Sequence, residues 1–519
     1  MKQPLLSRVR TWLCAFVSSA PSSHTVSHIL YATSRTIGAC LLGTTLLYAA
    51  PVVARARASQ DSVVAASLDS IASRGVMGEL RWSNLADVGG PLKRLYLSRA
   101  WAPLWSADGH VTPAAHAMVA SLERVAERGL DPIDYDVARL RELSRAERLS
   151  AGERGEFDMT LSVATLRVIR GLYFGRVAPE IAAPTLHIVR DSVDLAAIIA
   201  RLVTSLTPDT VLDAAEPPFA QYRALKRSLG VYRERSASDS FALARAIQIA
   251  ITMERWRWIP RDTATPSIIV NIPAYSLDAF AARNDSAALH MGVVVGRTGL
   301  HQTPLLADSI RYVEFAPYWI VPFSIARAEL LPVAMRDPHI LTVNNYEVVN
   351  RRGQVLVPSV KSLRMVTAGT AFIRQLPGGT NSLGQVKFLF PNAYDVYLHD
   401  SPLREDFALA RRDQSHGCVR LGDPKGLATW LLRDQPEWTA PRIAAAMHGY
   451  APTRVTLAHP VPVFLFYATV VAQADGGVQF HGDVYGYDAS LAALLRAGAA
   501  VRTTVADAVA AAEAERPTF

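Results

Sequence analysis

From residue 59 to about residue 259, apolar residues recur every three to four positions, the period of helices that bury one face. Thr112 suits an N-cap with Pro113 at the first helical position. Met118, Leu122 and Val125 follow at helical spacing, and Gly129 closes the run. Leu161, Ala164, Leu166 and Ile169 predict an amphipathic helix over Asp158–Phe174, and Phe241–Trp258 predicts another that stops before Pro260. Pro208–Pro218 reads as a polar connection. Tyr96, Trp101 and Trp105 gather at the turn-like Trp101-Ala102-Pro103, where core packing is their expected role.

At Pro266 the texture becomes that of strands. Ser267–Ile272, Tyr275–Phe280, Met291–Val295, Tyr312–Phe315, Val386–Phe390 and Asp395–Leu398 are short runs of Val, Ile and aromatics between turn residues. Among them, from about Pro322 to Leu383, lies a Pro- and Gly-rich insertion too long for a passive loop. Asp423 and Pro424 open a short helix running to Leu432. Val461–Val471 and Val478–Val484 then predict a closing strand pair, and the Ala-rich residues 500–519 a disordered tail. The fold class is α+β and multidomain: a helical domain over 59–235, a connecting helix over 236–265, a β-rich domain over 266–450 and a β extension over 451–499.

The first 58 residues change the charge arithmetic. They hold Lys2, Arg8, Arg10, Arg35, Arg55 and Arg57 and no acid, and Ile37–Ala54 is uncharged and apolar, followed by small residues at A-x-A spacing. This is the pattern of a secretory signal peptide, or of an anchor if it is retained. Six of the eight net positive charges belong to it. The remaining chain is nearly neutral, with no basic stripe for nucleic acid. At 50% hydrophobic and 19% charged residues, the chain is not a disordered polymer. Three cysteines, Cys14, Cys40 and Cys418, exclude a disulfide scaffold, and the exported part would carry Cys418 alone.

Around that cysteine the chain reads Val396-Tyr397-Leu398-His399-Asp400, then Gln414-Ser415-His416-Gly417-Cys418-Val419-Arg420-Leu421. A free thiol is only about 3% thiolate at neutral pH. A nucleophilic Cys418 therefore needs an imidazole, a cation or amide N–H groups beside it. His399 closes a predicted strand and His416 stands two residues before the cysteine. Gly417 allows close backbone approach and can offer an N–H to an oxyanion. Arg420 can grip a carboxylate through two parallel hydrogen bonds. Two other readings stay open: a zinc site on His399, His416 and Cys418, which lacks a clear fourth ligand, and a buried structural cysteine.

The segment Ser415-His416-Gly417-Cys418-Val419-Arg420, with His399 upstream, resembles the signature of the L,D-transpeptidases with a YkuD-type catalytic domain. Glu254-Arg255-Trp256-Arg257-Trp258, Val294-Val295-Gly296-Arg297, Pro317-Tyr318-Trp319-Ile320-Val321-Pro322 and Ser324-Ile325-Ala326 resemble the large periplasmic Gram-negative branch of that family. So do Arg374-Gln375-Leu376-Pro377-Gly378, Asn381-Ser382-Leu383-Gly384 and Phe388-Leu389-Phe390-Pro391-Asn392. The helical half, from Tyr96–Trp105 through Gly129-Leu130-Asp131-Pro132 to Gly175-Arg176-Val177, is similar to that branch's scaffold domain. The likeness covers most of residues 80–490. One departure is that Tyr232 and Arg233 run almost directly into the Phe241 helix, leaving no room for the branch's small peptidoglycan-binding module.

The resemblance implies a catalytic domain under a lid at roughly 322–374, and acyl transfer on peptidoglycan stem peptides that forms 3→3 cross-links. Cys418 would be the nucleophile and His399 the base, with the Asp400 backbone carbonyl orienting the imidazole. The Gly417 and Cys418 N–H groups, with the Tyr397 hydroxyl, would form the oxyanion hole. His416 and Ser415 would support the loop, Arg420 would bind substrate or brace the site, and Trp319 and Tyr318 would line the lid or pack in its core. It implies no metal or organic cofactor, stem peptides and wall-synthesis proteins as partners, a periplasmic location and acylation by carbapenems. Hydrolysis of the acyl-enzyme (an L,D-carboxypeptidase), transfer to a lipoprotein amine, and a non-catalytic wall-binding scaffold are the alternatives.

Overall fold

The computed structural model describes residues 61–189, 192–282 and 286–498. The expected export segment and the tail beyond residue 500 lie outside the described residues. No helix among the described residues is long and apolar enough to cross a membrane.

Helix α1 (Pro113–Glu123) begins where the capping pattern predicts, with the Thr112 hydroxyl accepting the Ala115 N–H at 3.1 Å. Gly129 then turns the chain at φ +71°. Helix α2 (Ala151–Phe174) starts earlier than the apolar pattern predicts, because Ser150 and Glu153 close a capping box. It is not amphipathic either. Asp158, Thr160, Ser162 and Thr165 are buried with its apolar residues, so α2 runs through the middle of the helical domain. Two of these are satisfied from outside the helix: Asp158 accepts the N–H groups of Leu104 and Trp105 and the Tyr96 hydroxyl at 2.7 Å, and Ser162 accepts the Trp105 indole N–H. Tyr96 and Trp105 are fully buried and Trp101 stacks on Tyr96 at 5.8 Å, which makes the three aromatics core. Pro208–Pro218 is not a plain connection, since Pro208–Ala215 is helical with its proline in the first turn. Asp209, Asp213 and Glu216 all pair with the buried Arg128.

Helices α3 (Ala220–Arg235) and α4 (Ser240–Trp256) join the helical domain to the β domain. Phe219, Tyr222, Ile249, Met253 and Trp256 share one core with Ile269, Phe464 and Phe466 of the strands. The charged motif at the end of α4 is buried at this junction. Glu254 accepts the Val177 N–H at 2.9 Å and pairs with Arg257 at 2.8 Å, and Trp258 donates to the Val177 carbonyl. Buried charges persist only when so satisfied.

The β domain is a closed barrel. Its strands are β1 (Ser267–Asn271), β2 (Ser276–Phe280), β3 (Leu289–Gly296), β4 (Leu306–Phe315), β5 (Val386–Leu389), β6 (Leu398–His399), β7 (Asp413–Ser415), β8 (Val419–Leu421) and β9 (Thr453–Phe466). Eight of them run β3-β8-β6-β5-β4-β9-β1-β2, with β2 pairing back to β3, and β7 lies parallel against β3. The strand at 453–466 is therefore not an extension. It pairs with β4 on one side and β1 on the other, and a register shift between Thr456 and Val461 accommodates Pro460. The boundary expected at 451 cuts across the barrel because two prolines break the alternating pattern there. Among the described residues, the hairpin Val470–Ala472 with Val478–Phe480 and the helix Tyr487–Arg496 follow as additions.

The insertion is a lobe with its own core. Trp319–Ile320, Tyr346–Asn350, Val355–Leu356 and Ala371–Gln375 form a four-stranded antiparallel sheet. Val321, Leu331, Leu341, Val348, Leu363 and Ile373 are buried against it. Residues Ala326–Leu330 form a single π-helical turn just ahead of Pro332, which has no N–H to continue an α-helix.

Candidate active site

Strands β6 and β8 are adjacent and parallel, in the register Leu398 opposite Val419 and His399 opposite Arg420. This pairing brings the strand end that carries His399 to the strand that Cys418 directly precedes, two residues before Arg420, the register partner of His399. The hydrophobic residues Leu398, Val419 and Leu421 point into the barrel core and hold both ends in place. The His399 imidazole is buried, and its Nδ1 donates to the Asp400 carbonyl oxygen at 2.5 Å. That bond leaves Nε2 with its lone pair, the form a general base needs. The Asp400 carboxylate steadies the carbonyl by accepting the Gln385 and Ser401 N–H groups and pairing with Arg404 at 2.6 Å.

Cys418 is half-buried. Its thiol donates to the Asp395 carbonyl oxygen at 3.6 Å, and the Tyr397 hydroxyl also lies within hydrogen-bonding reach of the sulfur. Burial pushes the thiol up to about 11, aided by the Asp395 carboxylate and opposed by the Tyr397 groups and Arg420. Burial likewise pushes His399 down to about 4, with the Arg420 and Lys387 cations adding to it and the Asp400 and Leu383 carbonyls opposing. Both partners are therefore neutral at pH 7. Burial next to Cys418 and Asp395 keeps the Tyr397 phenol protonated.

The loop before the cysteine is braced from both sides. Ser415 donates from its hydroxyl to the Cys418 carbonyl oxygen at 2.5 Å and accepts the Gly417 N–H at 3.1 Å. Gly417 was expected to turn that N–H to an oxyanion; here Ser415 holds it, which leaves the Cys418 N–H as the loop amide for that task. Gly417 has φ +118°, a conformation that an L residue adopts only with strain. On the other side Thr303 donates to the Gly417 carbonyl oxygen at 2.8 Å.

The remaining candidates spread out from this centre. His416 donates from Nε2 to Glu329 Oε1 of the lid at 2.8 Å, its ring edge-on to His301. Among the described residues no three His, Cys, Asp or Glu side chains converge as a metal ion requires, so the zinc reading has no ligand set. Arg420 pairs with Asp406 at 2.6 Å and walls a cavity of about 310 Å³ between lid and barrel, together with Asn344, Tyr346, Gln375, Ser382 and Ser401. Trp319 packs against the lid core, 6.2 Å from Tyr346, and Arg374 lies over the Tyr318 ring. Asp395, Thr303, Glu329 and Tyr485 are absent from the sequence candidates. They act through backbone carbonyls or across long separations, and no local pattern marks them.

Comparison with known proteins agrees with this geometry. Residues 90–229 match the family model of the Scaffold domain, and residues 265–463 match that of the L,D-transpeptidase catalytic domain, YkuD. A Haemophilus influenzae protein named "Putative L,D-transpeptidase" is 31% identical over 241 residues, which is 46% of this chain and 48% of that protein. The chain thus spans about half the length of this curated relative. Helical domain first and β-rich domain second, the order of the two matches is that of the two halves of the fold: a Scaffold domain followed by an L,D-transpeptidase catalytic domain.

Proposed function

We propose that the protein is a periplasmic L,D-transpeptidase that forms 3→3 peptidoglycan cross-links through a Cys418 thioester. The observation that carries this reading is that His399 ends a strand paired in parallel with the strand that Cys418 immediately precedes, with His399 Nδ1 fixed by the Asp400 carbonyl. Because thiol and imidazole are both neutral, the thiol proton moves to His399 Nε2 as sulfur attacks, not before. The target is the carbonyl carbon of the third, L-centred residue of a tetrapeptide stem. The Cys418 N–H and the Tyr397 hydroxyl receive the oxyanion. Collapse breaks the peptide bond, and the proton on His399 goes to the departing D-alanine amine. An acceptor amine then attacks the thioester, His399 takes its proton, and the thiol is regenerated. Every proton is accounted for without a metal or organic cofactor. The cavity beside Arg420 has the size and polarity to seat part of a stem peptide.

The test is the intact mass of the protein and the identity of the products after incubation with a tetrapeptide muropeptide. A thioester adduct that disappears into 3→3 dimers supports the reading, and Cys418→Ala abolishes both. Products resolved by water alone would make it an L,D-carboxypeptidase, and resolution by a lipoprotein amine an attachment enzyme. A protein that forms no adduct but binds the wall would be a scaffold.

A further inference from the structure

The hairpin and helix after Phe466 lie beyond the catalytic match, yet they reach the loop of the candidate nucleophile. Tyr485 is buried, and its hydroxyl donates to the Gly296 carbonyl oxygen and accepts the Thr303 N–H at 3.2 Å. Thr303, with no exposed surface, accepts the Gly296 N–H at 2.8 Å and donates its hydroxyl to the Gly417 carbonyl oxygen at 2.8 Å. A hydroxyl has a single proton to give, and Thr303 spends it on Gly417. Gly417 and Cys418 share one planar peptide, in which C=O and N–H point in opposite directions. Holding the Gly417 oxygen therefore fixes the direction of the Cys418 N–H. Ser415 already occupies the Gly417 N–H, so the Cys418 amide is the loop donor whose aim matters. Tyr485 is itself anchored: its N–H donates to the Tyr467 hydroxyl at 2.9 Å, and Tyr467 donates to Asp483 at 2.6 Å.

We infer that Thr303 and Tyr485 are positioning residues that aim the Cys418 N–H at the oxyanion of acyl transfer, giving the C-terminal hairpin and helix a part in catalysis. This rests on the Cys418 acyl-enzyme reading above. Neither residue touches the reacting atoms; they act through the peptide between Gly417 and Cys418.

The test compares two reactions of the same thiol in the full chain. Acylation by p-nitrophenyl acetate develops an oxyanion, whereas alkylation by iodoacetamide does not. Thr303→Val keeps the shape and removes the hydroxyl. It should lower the acylation kcat by roughly 10²-fold, in line with loss of one oxyanion donor, with KM and the alkylation rate and its pH profile unchanged. Thr303→Ser should restore acylation to within a few-fold, and Tyr485→Phe should lower it by about tenfold. Acylation left intact in Thr303→Val, or lost in parallel with alkylation, would overturn the inference. If Thr303→Val does not fold, Thr303→Ser and Tyr485→Phe decide between the same outcomes. Because the ester probe does not need a wall peptide, a wild type that reacts with it but not with muropeptide counts against the proposed function alone.

Discussion

Glu329 of the lid and His416 of the nucleophile loop meet at 2.8 Å, two residues before Cys418. Lid and loop are thereby tied by a pair whose carboxylate is half-exposed. An exposed pair of this kind is worth about 0–1 kcal/mol, so its removal should barely move the melting temperature. Its effect should show in turnover, because the lid closes one side of the cavity beside Arg420. Glu329→Ala is expected to lower kcat/KM for muropeptide acylation by about three- to tenfold, as measured by adduct formation. Glu329→Gln, which still accepts from His416, should retain most of it. Equal activity in all three proteins would show the contact to be idle.

A thiol pushed up to about 11 and an imidazole pushed down to about 4 make a clear pH signature. Acylation that uses neutral His399 as base should fall only as pH drops toward 4, where the imidazole protonates, and stay level from about pH 5 to 9. Alkylation of Cys418 by iodoacetamide needs the thiolate and should climb through a midpoint near 11. A preformed thiolate–imidazolium pair would give the contrary result, an alkylation midpoint below 7. Site-resolved mass spectrometry across the pH range distinguishes the two.

The division of labour between sequence and structure follows the range of the interactions. The caps at Thr112 and Asp423 and the strand runs predicted at 267–272 and 275–280 are local, and strands at 267–271 and 276–280 appear within a residue of them. The proposed nucleophile Cys418, the proposed base His399 and the Asp400 carbonyl stand out in the sequence because they sit in two short motifs. What escaped is non-local or anti-periodic. Helix α2 hides the buried Asp158 and Ser162, whose partners lie 53 to 66 residues away. Strand β9 contains prolines that disguise a central barrel strand. Thr303, Glu329 and Tyr485 reach the site from three separate segments. The Gly417 N–H, expected to face an oxyanion, is instead held by the Ser415 hydroxyl two residues back.

Gly384 offers a way to disturb the base without touching it. At φ +61° it favours glycine, and an added methyl would overlap the Asp400 carboxylate. That carboxylate braces the backbone whose carbonyl holds His399 Nδ1. Gly384→Ala should therefore misplace the imidazole and lower muropeptide acylation by about 10²-fold, the scale of an ångström-sized misplacement. Iodoacetamide alkylation at pH 11, which needs no base, should persist. Loss of both reactions would mean that the barrel itself has been damaged.

Asp158 provides a stability prediction far from the chemistry. Burial raises its carboxyl from 3.8 to about 6, although Leu104, Trp105 and Tyr96 all donate to it. A folded-state value above the unfolded one means that the folded chain binds this proton more tightly. The resulting stability is fully present below about pH 4 and is lost as pH rises through about 6. A two-unit shift corresponds to about 3 kcal/mol. Asp158→Asn removes the titration while also losing an acceptor for the Leu104 and Trp105 N–H groups, so it should be the less stable protein at pH 4. Its deficit should then shrink by up to about 3 kcal/mol between pH 4 and pH 7, because only the wild type loses stability over that window. Urea unfolding of both proteins at the two pH values measures the gap directly, and other titrating groups cancel in the difference. A gap that stays constant, or widens as pH rises, would show that the three donors hold Asp158 ionised at no cost.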